Sequence, residues 1–181
     1  MRLFWLKGFS ATSVSDLCAA MGVTPPSLYA AFGSKEQLYV EAIRHYEARG
    51  GPSIWGPMAE ARSAREAIER YLMTSAEVLT SSDHPPGCMV VLSTAREEGC
   101  PAIGAVVAEL RAAAYEGLRA LLAAAVESGE LPMSVNIAQL ARFALCVQQG
   151  MSIQAREGAS REDLEGVAQA AMAGWDGLVR P

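Results

Sequence analysis

Residues 13–38 read SVSDLCAAMGVTPPSLYAAFGSKEQL. Three helix starts lie in this stretch. Ser13 stands three residues before Asp16, Thr24 directly precedes Pro25 and Pro26, and Ser34 stands three residues before Gln37. Each start puts a side-chain oxygen where the first backbone N–H groups of a helix lack partners. Proline costs nothing in such a first turn, because its missing N–H would be unpaired anyway. Gly22 and Gly33 supply the stops, since glycine readily takes the left-handed conformation that closes a helix. The stretch predicts short helices over 14–20 and 25–31 with a tight turn between them, and a third helix opening at 35. Val14, Leu17, Cys18 and Met21 give the first an apolar face; Leu28 and Phe32 do so for the second, with Val23 in the corner. Such a pair cannot fold alone, so Leu3, Phe4, Phe9 and the helix at 35–49 must complete its core.

The same punctuation extends along the rest of the chain. Further helices are predicted at 2–7, 64–81, 88–97, 102–128, 136–157 and 161–178. Capping patterns at Ser63–Glu66 and Ser160–Asp163 open two of them, and Gly8, Gly50-Gly51 and Gly129 read as stops. Strand signals are scarce, and neither repeats nor low-complexity tracts occur. The fold class is all-α: an N-terminal helix-turn-helix head over 1–50 with its connecting helix, and a helical body over 51–181. The division falls in the Gly/Pro-rich stretch Gly50–Pro57, after the amphipathic face Leu38, Tyr39, Ala42, Ile43 and Tyr46.

Composition narrows the function. The apolar fraction of 51% can fill a sizeable core, while the charged fraction of 19% falls below the usual quarter. The surplus points to apolar surface for a cavity or a subunit interface. The net charge of −5 excludes a protein that coats nucleic acid along its whole surface. Residues 1–50 carry five basic and four acidic residues, residues 51–181 ten and sixteen, so contact with DNA would be local to the head.

No GxSxG, HExxH, Walker or dinucleotide-binding pattern is present, and two histidines give little material for acid–base chemistry. His84, in the loop Ser81–Pro86, reads as solvated, and His45 as exposed. Cys18, Cys88, Cys100 and Cys146 match no zinc spacing and read as small buried groups in a reducing compartment. An enzyme is not expected, nor a metal or cofactor. With no secretory leader and no apolar run of membrane-spanning length, the expected location is the cytoplasm.

One resemblance is specific. Phe4-Trp5-Leu6-Lys7-Gly8-Phe9-Ser10-Ala11-Thr12-Ser13-Val14, followed by the run from Met21 to Leu38, resembles the DNA-binding domain of the TetR (tetracycline-repressor) family, over residues 4–47. The resemblance implies that helix 25–31 enters the major groove of double-stranded DNA. It implies phosphate contact for Ser13, base or phosphate contact for Ser15, and a place for Thr24, Pro25 and Ser27 at the front of the recognition helix. Tyr29 matches a phosphate-binding tyrosine, and Lys35 a lysine at a helix start where the dipole favours an anion. Ser13, Thr24 and Tyr29 also read as plain caps or packing groups. The chain departs from the family in starting almost at Phe4, without the usual basic arm. Either more sequence lies upstream, or DNA binding is weaker for want of its counterion release.

In the body the resemblance implies a homodimer whose last two helices pair with their copies. The expected interface residues are Leu140, Ala144, Leu164, Val167, Ala168, Ala171 and Trp175. A cavity for an unidentified small-molecule effector would lie among helices 64–81, 88–97, 102–128 and 136–157. Its candidate lining is Trp55, Met58, Tyr71, Ser75, Met89, Leu92, Tyr115, Phe143, Val147 and Gln148, a mixture of Met, aromatics and a few polar groups that suits a modest apolar ligand. The expected function is a repressor released from a palindromic operator by such a molecule. The alternative is a dimeric small-molecule binder whose DNA binding is weak or lost.

Overall fold

The computed structural model describes residues 1–96 and 98–180, and all regular structure among them is helical. The elements are α1 (Arg2–Lys7), α2 (Val14–Met21), α3 (Pro25–Phe32), α4 (Lys35–Ala59), α5 (Ala64–Leu79), α6 (Pro101–Glu127), α7 (Ile137–Arg156), α8 (Arg161–Ala173) and α9 (Trp175–Val179). The caps act as their chemistry dictates. Ser13 and Ser160 form full capping boxes with Asp16 and Asp163. The hydroxyls of Thr24, Ser34 and Ser63 accept from Ser27, Gln37 and Glu66 backbone N–H groups. Gly22 closes α2 in the left-handed conformation, at φ 68°.

Two apolar cores organise the chain. One joins α5, α6, α7 and α8 around Leu72, Ala76, Leu118, Leu122, Ala141 and Ala144, all essentially without solvent exposure. The other holds the head together through Phe4, Phe9, Leu17, Leu28, Tyr39 and Ile43. Met89, Val90, Ile103 and Val107 also belong to this second core, so it extends from the head into the segment between α5 and α6 and the start of α6. Among the described residues, no helix is long and apolar enough to cross a membrane.

Three expectations about elements are overturned. First, α4 does not stop at 49 but runs to Ala59. Ile54, Trp55 and Met58 continue its apolar face against the body core. That burial opposes the cost of Gly50, Gly51, Pro52, Gly56 and Pro57 within a helix, roughly 1 kcal/mol for each glycine and about 3 kcal/mol for each proline. Second, the predicted helix at 88–97 is a series of turns in its described residues. Gly87 and Gly99 both have positive φ. The Arg111 side chain donates to the carbonyls of Val90, Val91 and Ser93, at 2.9 Å from Nη2 in each case. Carbonyls that would accept helical bonds are held by a guanidinium instead. A Cβ at Gly87 would lie 2.7 Å from the Ser152 carbonyl oxygen, so only glycine fits there. Third, helix 161–178 breaks at Gly174 into α8 and α9.

Candidate nucleic-acid interface and adjoining cavity

α3 is held to the protein chiefly by Leu28, with 1% of its surface exposed; Val23 and Phe32 are half-buried. Thr24, Pro25, Ser27 and Tyr29 all face solvent, and Tyr29 is 45% exposed, unusual for a tyrosine with nothing to cover it. Ser13 and Ser15, on the neighbouring α2 end, are exposed as well. Ser13 Oγ accepts from the Asp16 N–H at 3.0 Å, and Asp16 Oδ2 accepts from the Ser13 N–H at 3.2 Å. The Ser13 backbone N–H and hydroxyl, with Lys7 nearby, hold the Asp16 carboxyl below the usual carboxylate range. Lys35, the first residue of α4, lays its ammonium 4.2 Å from the centre of the Phe9 ring. The expected DNA-contact residues are thus exposed on the head, apart from Lys35, which is half-buried.

Behind the head lies a cavity of about 250 Å³. α4 gives it Tyr46, Glu47, Ile54 and Trp55; α5 gives Tyr71 and Val78; α6 gives Leu110, Arg111 and Ala114; α7 gives Leu145, Gln148 and Gln149. Trp5 of α1 and His84 close one end, their rings stacked at 4.7 Å. Tyr46 meets Trp5 edge-on at 4.7 Å, and Trp55 lies 5.4 Å from Tyr71. Burial pushes the Tyr46 and Tyr71 hydroxyls well above their ordinary values, so both stay protonated. Cys88 is also in the wall, its thiol pushed up by burial.

Of the expected lining, Trp55, Tyr71 and Gln148 stand in this wall. The others stand elsewhere. Met58 is interior core, and Ser75 turns its hydroxyl onto the Tyr71 carbonyl of its own helix, at 2.7 Å. Met89 packs into the head's core, and Leu92 lines a separate recess beside Phe4 and Tyr39. Tyr115 is covered by the Arg142 guanidinium at 3.8 Å, while Phe143 points to solvent and Val147 to an outer groove. The places of Met58, Met89 and Leu92 go with the longer α4 and the missing helix at 88–97. Trp5, Tyr46 and Glu47 lie within helices that the sequence predicts, but their spacing does not say which space they face; His84 lies in a loop that reads as solvated. The aromatic spacing of Trp5 and Tyr46 gave no sign that they face the same space.

The expected interface set divides similarly. Leu140, Ala144, Leu164, Ala168 and Trp175 are buried where α5, α7 and α8 pack on each other, so they have no surface to offer a second chain. Val167 is exposed and Ala171 partly so. The opposite, outward side of α7 and α8 carries Phe143, Cys146, Gly150, Ile153 and Val167, with an apolar groove between the helices. The expectation of four buried cysteines fails at Cys146, which is exposed.

The profile of the bacterial regulatory proteins of the TetR family matches residues 1–42. The HTH-type transcriptional repressor ComR of Escherichia coli (strain K12) is 34% identical over 99% of this chain and 87% of its own length. The chain belongs to the TetR family. The repressor BdcR of the same organism is 29% identical, over 95% of this chain and 82% of its own. A cysteine-substituted TetR-family regulator, CifR, complexed with 26-bp double-strand operator DNA, superposes with a TM-score of 0.89 at 34% identity, covering 96% of this chain and 92% of that one. Membership makes this TetR-family protein a DNA-binding transcriptional regulator and not an enzyme. A recognition helix left bare of packing, as α3 is, fits that role.

Proposed function

We propose that this TetR-family protein is a cytoplasmic repressor that grips a palindromic operator as a homodimer and releases it when a small, largely apolar molecule enters the cavity. The observation that carries this reading is the shared cavity wall. Trp5 belongs to the head's first helix, Tyr46 and Glu47 to the helix that leaves the head, and Leu145 and Gln148 to the body. A ligand that prefers one setting of these walls shifts the equilibrium between head positions. Functionally the chain divides near residue 50, with DNA contact in 1–50 and ligand and partner contact mainly in 51–181. Thr24, Pro25 and Ser27 read base edges; Ser13, Ser15, Tyr29 and Lys35 meet the backbone.

The second chain docks on the outward face of α7 and α8. Exposed Phe143, Cys146, Gly150 and Ile153 repeat at three- and four-residue spacing there, as a helix-pairing seam requires. A dimer also supplies the two recognition helices that a palindrome demands. The deciding experiment selects genomic fragments with the purified chain and titrates the best fragment at two salt concentrations. The expected result is a short near-palindrome bound by two chains, with affinity falling as salt rises.

A second reading has its own support. Residues 1–50 carry five basic and four acidic residues, and Lys7 is paired with Asp16 at 3.4 Å, so the head has almost no net positive charge. Under it the protein is a dimeric small-molecule binder with weak DNA affinity. No enriched fragment, together with retained dimerisation and ligand binding, would favour that reading.

A further inference from the structure

Among the described residues Glu47 is the only carboxylate in the cavity wall. It sits on α4 one residue past Tyr46, half-buried, next to the ring pair Trp5–Tyr46. The second ring pair, Trp55–Tyr71, lines the same cavity. Among the described residues no basic group lies within ion-pairing distance of the Glu47 carboxylate. Two arginines and the Met1 amino terminus do border the cavity. Arg111 turns its guanidinium onto the backbone carbonyls of Val90, Val91 and Ser93, and Arg49 is exposed. None of the three is ion-paired with Glu47 among the described residues. Burial alone moves its carboxyl, and moves it upward, with no compensating pull from a cation.

A carboxylate half-withdrawn from water with no partner is costly, and a ligand bearing the opposite charge relieves that cost. Four aromatic rings line the same space, and aromatic side chains around a cavity are what proteins use to hold quaternary ammonium groups. The rest of the wall, chiefly Ile54, Val78, Leu110, Ala114 and Leu145, is apolar and suits a hydrocarbon body.

We infer that the cavity selects an organic monocation with an apolar or aromatic body, its charge set against Glu47 and its faces against Trp5, Tyr46, Trp55 and Tyr71. The inference deepens the effector reading above and rests on it for its regulatory meaning, though not for the binding itself. Arg111 has a positioning part: its grip on the carbonyls of Val90, Val91 and Ser93 holds Val90 and Val91 in the wall.

Three probes of one size test this on the intact chain: benzyltrimethylammonium, its uncharged isostere neopentylbenzene, and the anion phenylacetate. Binding is read by calorimetry and by tryptophan fluorescence, since Trp5 and Trp55 line the cavity. The expected order places the ammonium about tenfold or more ahead of the isostere, with phenylacetate weakest. Glu47→Gln, which keeps the shape and removes the charge, should erase the advantage of the ammonium and leave the isostere unchanged. Equal or tighter binding of the isostere or the anion by the unaltered protein overturns the inference, and so does no saturable binding of the ammonium. These comparisons need no variant, so a folding defect in Glu47→Gln cannot rescue or sink them. An undiminished preference for the ammonium in folded Glu47→Gln protein also overturns it.

Operator binding, followed in the same samples, separates this inference from the effector reading. A cation bound through Glu47 that leaves DNA affinity untouched sinks the effector reading and keeps the site. Operator release by the neutral or anionic compound, with no binding of the cation, sinks the site and keeps the effector reading.

Discussion

Arg111 commits its guanidinium to three backbone carbonyls and no carboxylate, and thereby decides the path of the segment between α5 and α6. Hydrogen bonds from a charged donor are each worth about 1.5–3 kcal/mol, and partly exposed ones sit at the low end. Arg111→Met should therefore cost about 2–3 kcal/mol in denaturant titration, with the loss falling on the 88–99 segment in hydrogen exchange. Tyr29 has a different test. Its ring is exposed and its hydroxyl has no partner within the chain among the described residues, so Tyr29→Phe should leave stability unchanged. It should weaken every DNA sequence alike by roughly three- to tenfold, the worth of one hydrogen bond; unchanged affinity in a gel-shift titration would remove its phosphate role. Glu47 makes a pH prediction. Burial holds its carboxyl above the ordinary value, so with rising pH the unfolded chain gives up this proton first. Its contribution is best below the unfolded pKa and declines as pH climbs through the folded one. Ligand-free Glu47→Gln should melt above the unaltered protein at neutral pH, and the gap should close in acid.

At the level of elements, the outward side of α7 and α8 gives the sharpest prediction. Ile153 is 47% exposed and Val167 42%, so a glutamate at either place costs the single chain little. Ile153→Glu should sediment as a monomer with its helical circular dichroism intact, and a persistent dimer would move the interface elsewhere. Trp175→Glu is not the equivalent test, because Trp175 is buried in its own chain and the variant should unfold instead. That contrast shows where sequence reading stops. Caps announce helix starts through local chemistry, which is why Ser13, Thr24, Ser34, Ser63 and Ser160 mark α2, α3, α4, α5 and α8 directly. A 3.6-residue apolar period tells that a face is buried but not by whom. So Leu140 and Ala144 read as equally suited to an interface or a core, and Tyr46 gave no hint of a cavity. Ends are weaker signals still: Gly50 looked like a stop until the burial of Met58, far along the same helix, decided otherwise.

For the molecule as a whole, head and body are tied at points distant in sequence. Tyr39 donates to Ser93 Oγ at 2.9 Å, the Ser10 N–H to Glu98 at 3.0 Å, and Arg2 to the Asp83 carbonyl at 2.7 Å. These bonds join the packing of Met89 and Val90 in linking the segment between α5 and α6 to the head. The longest tie runs from Arg156 Nη2, near the end of α7, to the Trp5 carbonyl at the end of α1, over 2.7 Å in space and 151 positions in the chain. Synthesis proceeds from the other end. The first helix is made at once, yet its clasp emerges only when most of the protein has been translated, and long-range closures of this kind come late in folding. A nascent or prematurely terminated chain thus carries α1 to α3 without the Arg156 fastening that ties α1 to α7.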